Sequence, residues 1–399
     1  MPAQERPLHR HPCLTRVSGR GTHLNQRLNL SQRLNPGKKW SALLIVAALA
    51  LAACGNSEGA EGTPSTSTTG NAAAGSEVVL VTHDSFVVDD AVLADFEKFS
   101  GLTVTVLAQG DAGEMVNQLV LTKNNPLGDA VFGIDNSFAS RALDEGLLSP
   151  YTSAATPAGS EQYGIGDNRL TPVDYGDVCV NVDHAYFAAK GLAEPVTFED
   201  LAKPEYKDML VVQSPATSSP GLAFLLGTVA HFGQNGWRDY WTELKNNGVK
   251  VTSGWTDSYT VDFSGSSGKG DRPLVVSYAS SPPAEITDST ADSTTDSTKK
   301  APTGALLDTC FRQVEYAGVL QGAKNPAGAK EVVDFLLSHE FQAGVAESMY
   351  VYPVDASVAL PSGWQQFAPV ATAPATLDPA TIAANREAWI AAWSDLLEG

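Results

Sequence analysis

The chain has 399 residues, 43% hydrophobic, 18% charged and 8% aromatic, a globular make-up that excludes collagenous, disordered and polytopic membrane classes. Its net charge of −19, from 26 basic and 45 acidic residues, disfavours binding to a phosphate backbone, so no nucleic-acid partner is expected. Four cysteines are too few for a disulfide-built scaffold.

The first 53 residues run against this balance, with eight Lys and Arg to one acid. Lys38-Lys39 leads into an apolar run from Trp40 to Ala53. That run is short for a membrane span, which needs ~20 residues, and suits the core of a signal peptide. It ends in Leu51-Ala52-Ala53-Cys54-Gly55, which resembles the bacterial lipobox. That resemblance implies cleavage before Cys54 and lipidation of its thiol. Residues 55–76 are Gly, Ser, Thr and Asn-rich with no apolar period, a flexible tether. The expected arrangement is an anchor, a leash and a soluble body outside the cytoplasm.

The body alternates strands and helices. Val78–Val81 reads as a strand, Asp89–Phe99 as a helix, Leu102–Leu107 as a strand and Glu114–Lys123 as a helix. Asp129–Ile134 is a strand ending in Asp135-Asn136, and Phe138–Glu145 is a helix stopped by Gly146. This pattern predicts an α/β fold with a parallel or mixed sheet covered on both faces. Ligands in such sheets sit at the carboxyl ends of strands, where His83-Asp84-Ser85 and Asp135-Asn136 fall. Further on, Asp177–Val182, Met209–Gln213, Val249–Val251 and Leu274–Ser277 read as strands, and Cys310–Leu320 as a strand pair. Thr197–Leu201, Leu222–Phe232, Trp237–Asn246, Ala329–Leu337, Glu340–Ala346 and Thr381–Leu397 read as helices. Residues 287–300 are low-complexity Asp, Ser and Thr, a solvated insertion.

Catalytic patterns are sparse. After processing, the histidines left are His83, His184, His231 and His339, none at metal-ligand spacing. The body after residue 76 has no Gly-x-Ser-x-Gly elbow. The Gly265–Gly270 run lacks phosphate-loop spacing and reads as a flexible hairpin tip. In an oxidising compartment Cys179 and Cys310 either pair or remain two buried thiols; both readings stay open here.

Trp255, Tyr259 and Tyr278 cluster around strand ends, and Tyr350 and Tyr352 recur later. Aromatic faces hold a flat cationic ring by stacking and cation–π contact. Thr217-Ser218-Ser219-Pro220-Gly221 opens a helix whose N–H groups and hydroxyl suit an anion or an alcohol. Taken singly, each feature has a plain reading as a core ring or a helix cap. Together they point to a binding cleft.

Several short motifs stand in order from about residue 78 to 397. They are Thr82-His83-Asp84-Ser85-Phe86, Asp129 to Asn136, Pro172-Val-Asp174-Tyr175-Gly176 and Thr217 to Leu222. Then follow Gly254-Trp255-Thr-Asp-Ser-Tyr259, Ser277-Tyr278-Ala-Ser-Ser-Pro282, Tyr352-Pro353-Val354 and Arg386-Glu387-Ala388-Trp389. The set resembles the thiamine-binding proteins of bacterial ABC importers, within the type II periplasmic binding proteins. The resemblance implies an α/β, two-lobed fold, with mixed sheets flanked by helices and a two-strand hinge near Tyr175–Asn181 and Cys310–Tyr316. Lobe 1 would take residues 77–175 and 311–352, lobe 2 residues 176–310 and, through a C-terminal segment and helix, 353–399.

It further implies thiamine, or its phosphate esters, as ligand. His83, Asp84, Ser85, Asp135, Asn136, Ser218, Trp255, Tyr259, Tyr278 and Tyr350 would form the site. Ser218 would hold the alcohol or phosphate end, and Trp255 and Tyr278 would reach in from the second lobe. Tyr350 would supply an aromatic wall, while His83 stands where relatives have Tyr. Ala284 falls near a position where some relatives place a phosphate-facing Tyr, which with the acidic charge favours free thiamine. Cys179 and Cys310 on neighbouring hinge strands could then form a cross-strand disulfide. The implied partners are the permease and ATPase subunits of an importer, and the membrane through the lipid. A monomer is implied, with no cofactor, no metal and no catalysis. The competing readings are the same fold carrying Fe(III) or a polyamine, a lipid-anchored secreted hydrolase, and an adhesion or structural surface protein.

Overall fold

Valine-rich runs pair into one ten-stranded mixed sheet in the computed structural model, which describes residues 76–286, 301–397 and 399. The signal segment, Cys54, the tether through residue 75 and the 287–300 insertion lie outside the described residues. The strands are β1 (Glu77–Thr82), β2 (Thr103–Ala108), β3 (Ala130–Asp135), β4 (Leu148–Ser149), β5 (Thr171–Asp183), β6 (Leu210–Gln213), β7 (Lys250–Thr252), β8 (Leu274–Tyr278), β9 (Thr303–Leu320) and β10 (Tyr352–Pro353). Their order across the sheet is β2-β1-β3-β9-β5-β8-β6-β7, with β4 on β9 and β10 on β5.

Two parallel triplets result. β1 runs parallel to β2 and β3, and β6 runs parallel to β7 and β8. The long antiparallel strands β5 and β9 join them, β9 pairing with β3 and β5 with β8. These are the two expected crossings. The strand pair read at Cys310–Leu320 is a single strand of 18 residues that begins at Thr303. Its early part pairs with β5 through a bulge beside Val178 and Val180, so one continuous strand serves both triplets. Cys179 and Cys310 are joined by a disulfide at this bulge, their Cα atoms 4.2 Å apart.

Helices cover both faces. They are α1 (Asp90–Ser100), α2 (Ala112–Leu121), α3 (Ala139–Asp144), α4 (His184–Lys190), α5 (Phe198–Leu201), α6 (Ser219–Asn246), α7 (Trp255–Asp257), α8 (Pro326–Leu336), α9 (His339–Met349), α10 (Trp364–Phe367) and α11 (Pro379–Leu397). Caps set their ends: Asp89 accepts from Ala91 N and Val92 N at the start of α1, and Gly101 closes it in the left-handed region. Gly233 interrupts α6 with φ 72°, separating the two helical runs the sequence predicts there. On one face Val332, Val333 and Phe341 of α8 and α9 pack on Val78, Leu80 and Phe132. On the other, Met115, Phe138, Phe224, Trp241 and Trp393 share a second core. The C-terminal helix α11 packs Trp393 edge-on against Trp241 of α6 and reaches α3 through Glu387 and Arg141, 2.6 Å apart.

The Gly265–Gly270 run is not a hairpin tip. Phe263 and Arg272 bridge in parallel, and buried Ser266 donates its hydroxyl to the Tyr259 and Phe263 carbonyls. A hydroxyl with backbone partners on both sides fixes the turn against its neighbour.

Candidate functional site

The residues that follow β1, β2, β6, β7 and β8 meet around one cavity of about 660 Å³, part of it open to solvent. The first triplet supplies His83, Asp84, Ser85 and Asp111; the second supplies Ser219, Pro220, Trp255, Tyr259, Tyr278, Ser281 and Ala284. Glu315 of β9 lines it from the crossing, and Met349, Tyr350 and Val351 close it from the end of α9. Among the described residues, no Lys or Arg lines it.

The aromatic wall is ordered by its own contacts. Trp255 stacks on Tyr259, with ring centres 4.8 Å apart and planes 15° apart. The Trp255 indole N–H donates to Ser277 Oγ at 2.9 Å. Tyr278 donates its hydroxyl to Gln313 Oε1 at 3.1 Å, and its ring lies where a Cβ on Gly176 would stand. Tyr259 is buried, its hydroxyl facing Glu285 and Ser281. Tyr350 ends α9 in the left-handed region at φ 56°, strained for a non-glycine residue, and its carbonyl accepts from Ser280 Oγ at 2.6 Å. Such strain gathers at binding sites because the surrounding structure holds it.

The charged wall is acidic. His83 Nε2 lies 3.3 Å from Glu315 Oε1, and Ser85 N–H faces Nδ1 at 3.2 Å. Gly133, at φ 97°, makes room for the His83 ring, since a Cβ there would fall on it. Burial works against a charge on His83, but Glu315, with help from Asp111 and Asp84, holds its pKa above the ordinary value. Asp174 stands opposite Glu315 in register, fully buried, and no N–H or hydroxyl donor reaches either of its oxygens. Burial and the charge of Glu315 push Asp174 well above the usual carboxylate range.

Asp111 caps α2 and reaches across the cleft. Its Oδ1 accepts from Ala112 N at 2.7 Å and Ser219 N at 2.9 Å, and its Oδ2 from Trp255 N at 2.9 Å. Asp84 makes a second link, accepting from Thr256 Oγ1 at 3.2 Å. Both side chains tie the first triplet to the second.

Of the ten residues expected at the site, seven line this cavity: His83, Asp84, Ser85, Trp255, Tyr259, Tyr278 and Tyr350. Asp135, Asn136 and Ser218 do not. Asp135 is buried beneath, taking hydrogen bonds from Ser137, Phe138 and Ser219. Burial pushes its carboxyl up to about 6 against those bonds. Asn136 clamps β9, donating to Arg312 O and accepting from Val314 N. Ser218 is a buried cap whose Oγ accepts from Gly221 N at 3.4 Å. Asp111 and Glu315 are the additions. Asp111 reads in sequence as an ordinary cap, and Glu315 lies inside a buried strand where no local pattern marks it. Among the described residues, no group of three or more His, Cys, Asp or Glu side chains could hold a metal ion.

The family described as bacterial extracellular solute-binding protein matches residues 126–372. The chain is 30% identical over 322 residues to the thiamine-binding periplasmic protein of Salmonella typhimurium, covering 79% of this chain and 92% of that one. It is 29% identical to the thiamine-binding periplasmic protein of Escherichia coli K12 over the same shares. A solved periplasmic thiamin binding protein superposes with a TM-score of 0.68 at 27% identity, covering 80% of this chain and 96% of that one.

Proposed function

The chain belongs to the bacterial extracellular solute-binding protein family, and from that premise we propose that it captures thiamine for an ABC importer. It works outside the cytoplasm, as the solute-binding component. Thiamine is a cation of two flat rings joined by a methylene, with an alcohol tail. One observation carries the reading: Trp255, Tyr259, Tyr278 and Tyr350 meet Asp84, Asp111 and Glu315 around one cavity that no Lys or Arg among the described residues lines. Rings and carboxylates together attract a cationic heterocycle.

Capture follows from the layout. The ligand meets strand ends of both triplets, so its binding energy favours the closed arrangement over an open one. Asp111 and Asp84 add direct links between the triplets in that arrangement. The closed form docks on the permease and releases its cargo there. No bond of the ligand breaks. Cys54 carries the lipid that tethers the monomer to the outer face of the membrane, and the 55–76 segment is its leash. The relatives act as binding proteins in the periplasm, and the Cys179–Cys310 disulfide suits an oxidising compartment.

Titration calorimetry tests this with thiamine, spermidine and Fe(III). Thiamine should bind at micromolar or tighter, and Trp255→Ala should weaken it by about 30-fold or more. Heat from spermidine or Fe(III) alone would keep the fold and discard the cargo.

A further inference from the structure

The C-terminal helix α11 touches elements from both sides of the cleft. α3 follows β3 of the first triplet, and α6 follows β6 of the second. α11 is held to α6 at three places. Trp393 packs edge-on against Trp241, the Trp389 indole N–H donates to Gln234 Oε1 at 3.1 Å, and Lys245 Nζ donates to the Leu396 carbonyl. Its hold on α3 is smaller. Arg141 Nη1 of α3 donates to Glu387 Oε1 at 2.6 Å, and the Arg386 guanidinium lies 5.6 Å from the ring centre of Phe138, the residue before α3. Arg386 is buried, and its Nη2 donates to the same Glu387 oxygen at 2.7 Å. One carboxylate thus joins a cation of the first side to a cation of the helix that rides on the second.

Resting on the reading of thiamine capture by closure, we propose that α11 latches the closed cleft: Arg141 and Glu387 meet only while it is shut, and Arg141 is a positioning residue for capture. When the triplets part, α11 can follow only one of them. The indoles and Lys245 keep it on α6, so the Arg141–Glu387 pair and the Arg386–Phe138 contact are the ones that break. Neither Arg141 nor Glu387 lines the cavity, so the pair acts on the open–closed equilibrium and not on the ligand. The Glu387 side chain is 64% exposed, which keeps the pair modest in strength. A two-state protein passes that strength on to the apparent affinity.

Arg141→Gln removes one cation and leaves Glu387 paired with Arg386. In calorimetry of the full chain, the variant should bind thiamine about two- to fivefold more weakly, through faster dissociation. Arg141→Lys keeps the charge and should keep most of the affinity. Hydrogen exchange reads closure separately. Ser219 N–H and Trp255 N–H are bonded to Asp111, and Glu114 N–H to the Thr217 carbonyl, all across the cleft. These three should exchange faster in Arg141→Gln, with β3 unchanged. The ligand-free melt should not move. A lower ligand-free melting temperature with unchanged affinity makes the pair plain scaffold and overturns the proposal. Unchanged affinity and exchange in the folded variant overturn it too. Silence towards thiamine overturns the thiamine reading instead. Exchange at the three amides of the ligand-free chain then decides the latch alone, and equal rates overturn it.

Discussion

Two charged pairs stand on the same two crossing strands, three residues apart, and they are built in opposite ways. Asp177 faces Arg312 in register, with Nε 2.5 Å from Oδ1 and Nη2 3.2 Å from Oδ2. Ala371 N donates to the same carboxylate at 2.8 Å, and the guanidinium lies over the Tyr175 ring. Asp174 faces Glu315, carboxyl against carboxyl, with no donor on Asp174 and only His83 to balance Glu315. Buried charge is cheap only when paired and fully hydrogen-bonded. The satisfied pair is scaffold. The unsatisfied one borders the cavity, where local cost accompanies binding.

Three experiments would break or sharpen that contrast. Arg312→Ala strips the cation from a buried carboxylate and should cost about 3–5 kcal/mol in denaturant unfolding. A loss near zero would make the two pairs alike. Next to it, Cys179→Ser with Cys310→Ser should cost about 2–5 kcal/mol, because the bond restrains a long loop in the unfolded chain. If Arg312→Ala costs less than this double change, the ion pair is the lesser clamp on the crossing.

Asp174→Asn should have the opposite sign. The folded pKa of Asp174 lies above the unfolded value, so the folded state holds its proton more tightly. Stability from this group is therefore full below about pH 4 and falls as pH rises towards the folded pKa. The amide carries no such penalty. The variant should gain stability near pH 7 and nothing near pH 4, read by unfolding across that range. A loss at pH 7 would show that the carboxyl pair is a stabilising element after all.

Much of this layout is legible in sequence. Strand and helix alternation places His83 after β1 and Trp255 after β7, because residues at strand ends need only local pattern to be found. Trp255 could also be told from Trp241 by its neighbours: Gly254 and Asp257 bound a short turn, whereas Trp241 sits in a long apolar helix period. Ser218 was found but its role was not, since a capping hydroxyl and a ligand-facing hydroxyl look the same in sequence. Asp135 and Asn136 sit at the expected strand end but turn inward, to a helix start and to β9. Glu315 and Asp111 needed tertiary facts. The first matters because of its register with Asp174, and the second because the start of α6, over a hundred residues later, comes to it.

The bond between Cys179 and Cys310 has a topological consequence. The cysteines are 131 positions apart, and β6, β7, β8 and α4 to α7 all lie between them in the chain. That side of the cleft is thus a closed covalent ring with a single knot at the crossing. A protease that nicks the ring, in the Ser- and Thr-rich 287–300 stretch for instance, releases no fragment. Glu315 and Tyr350 stay covalently attached to His83 and Trp255, and the cut shows on a gel only once a reductant opens the ring.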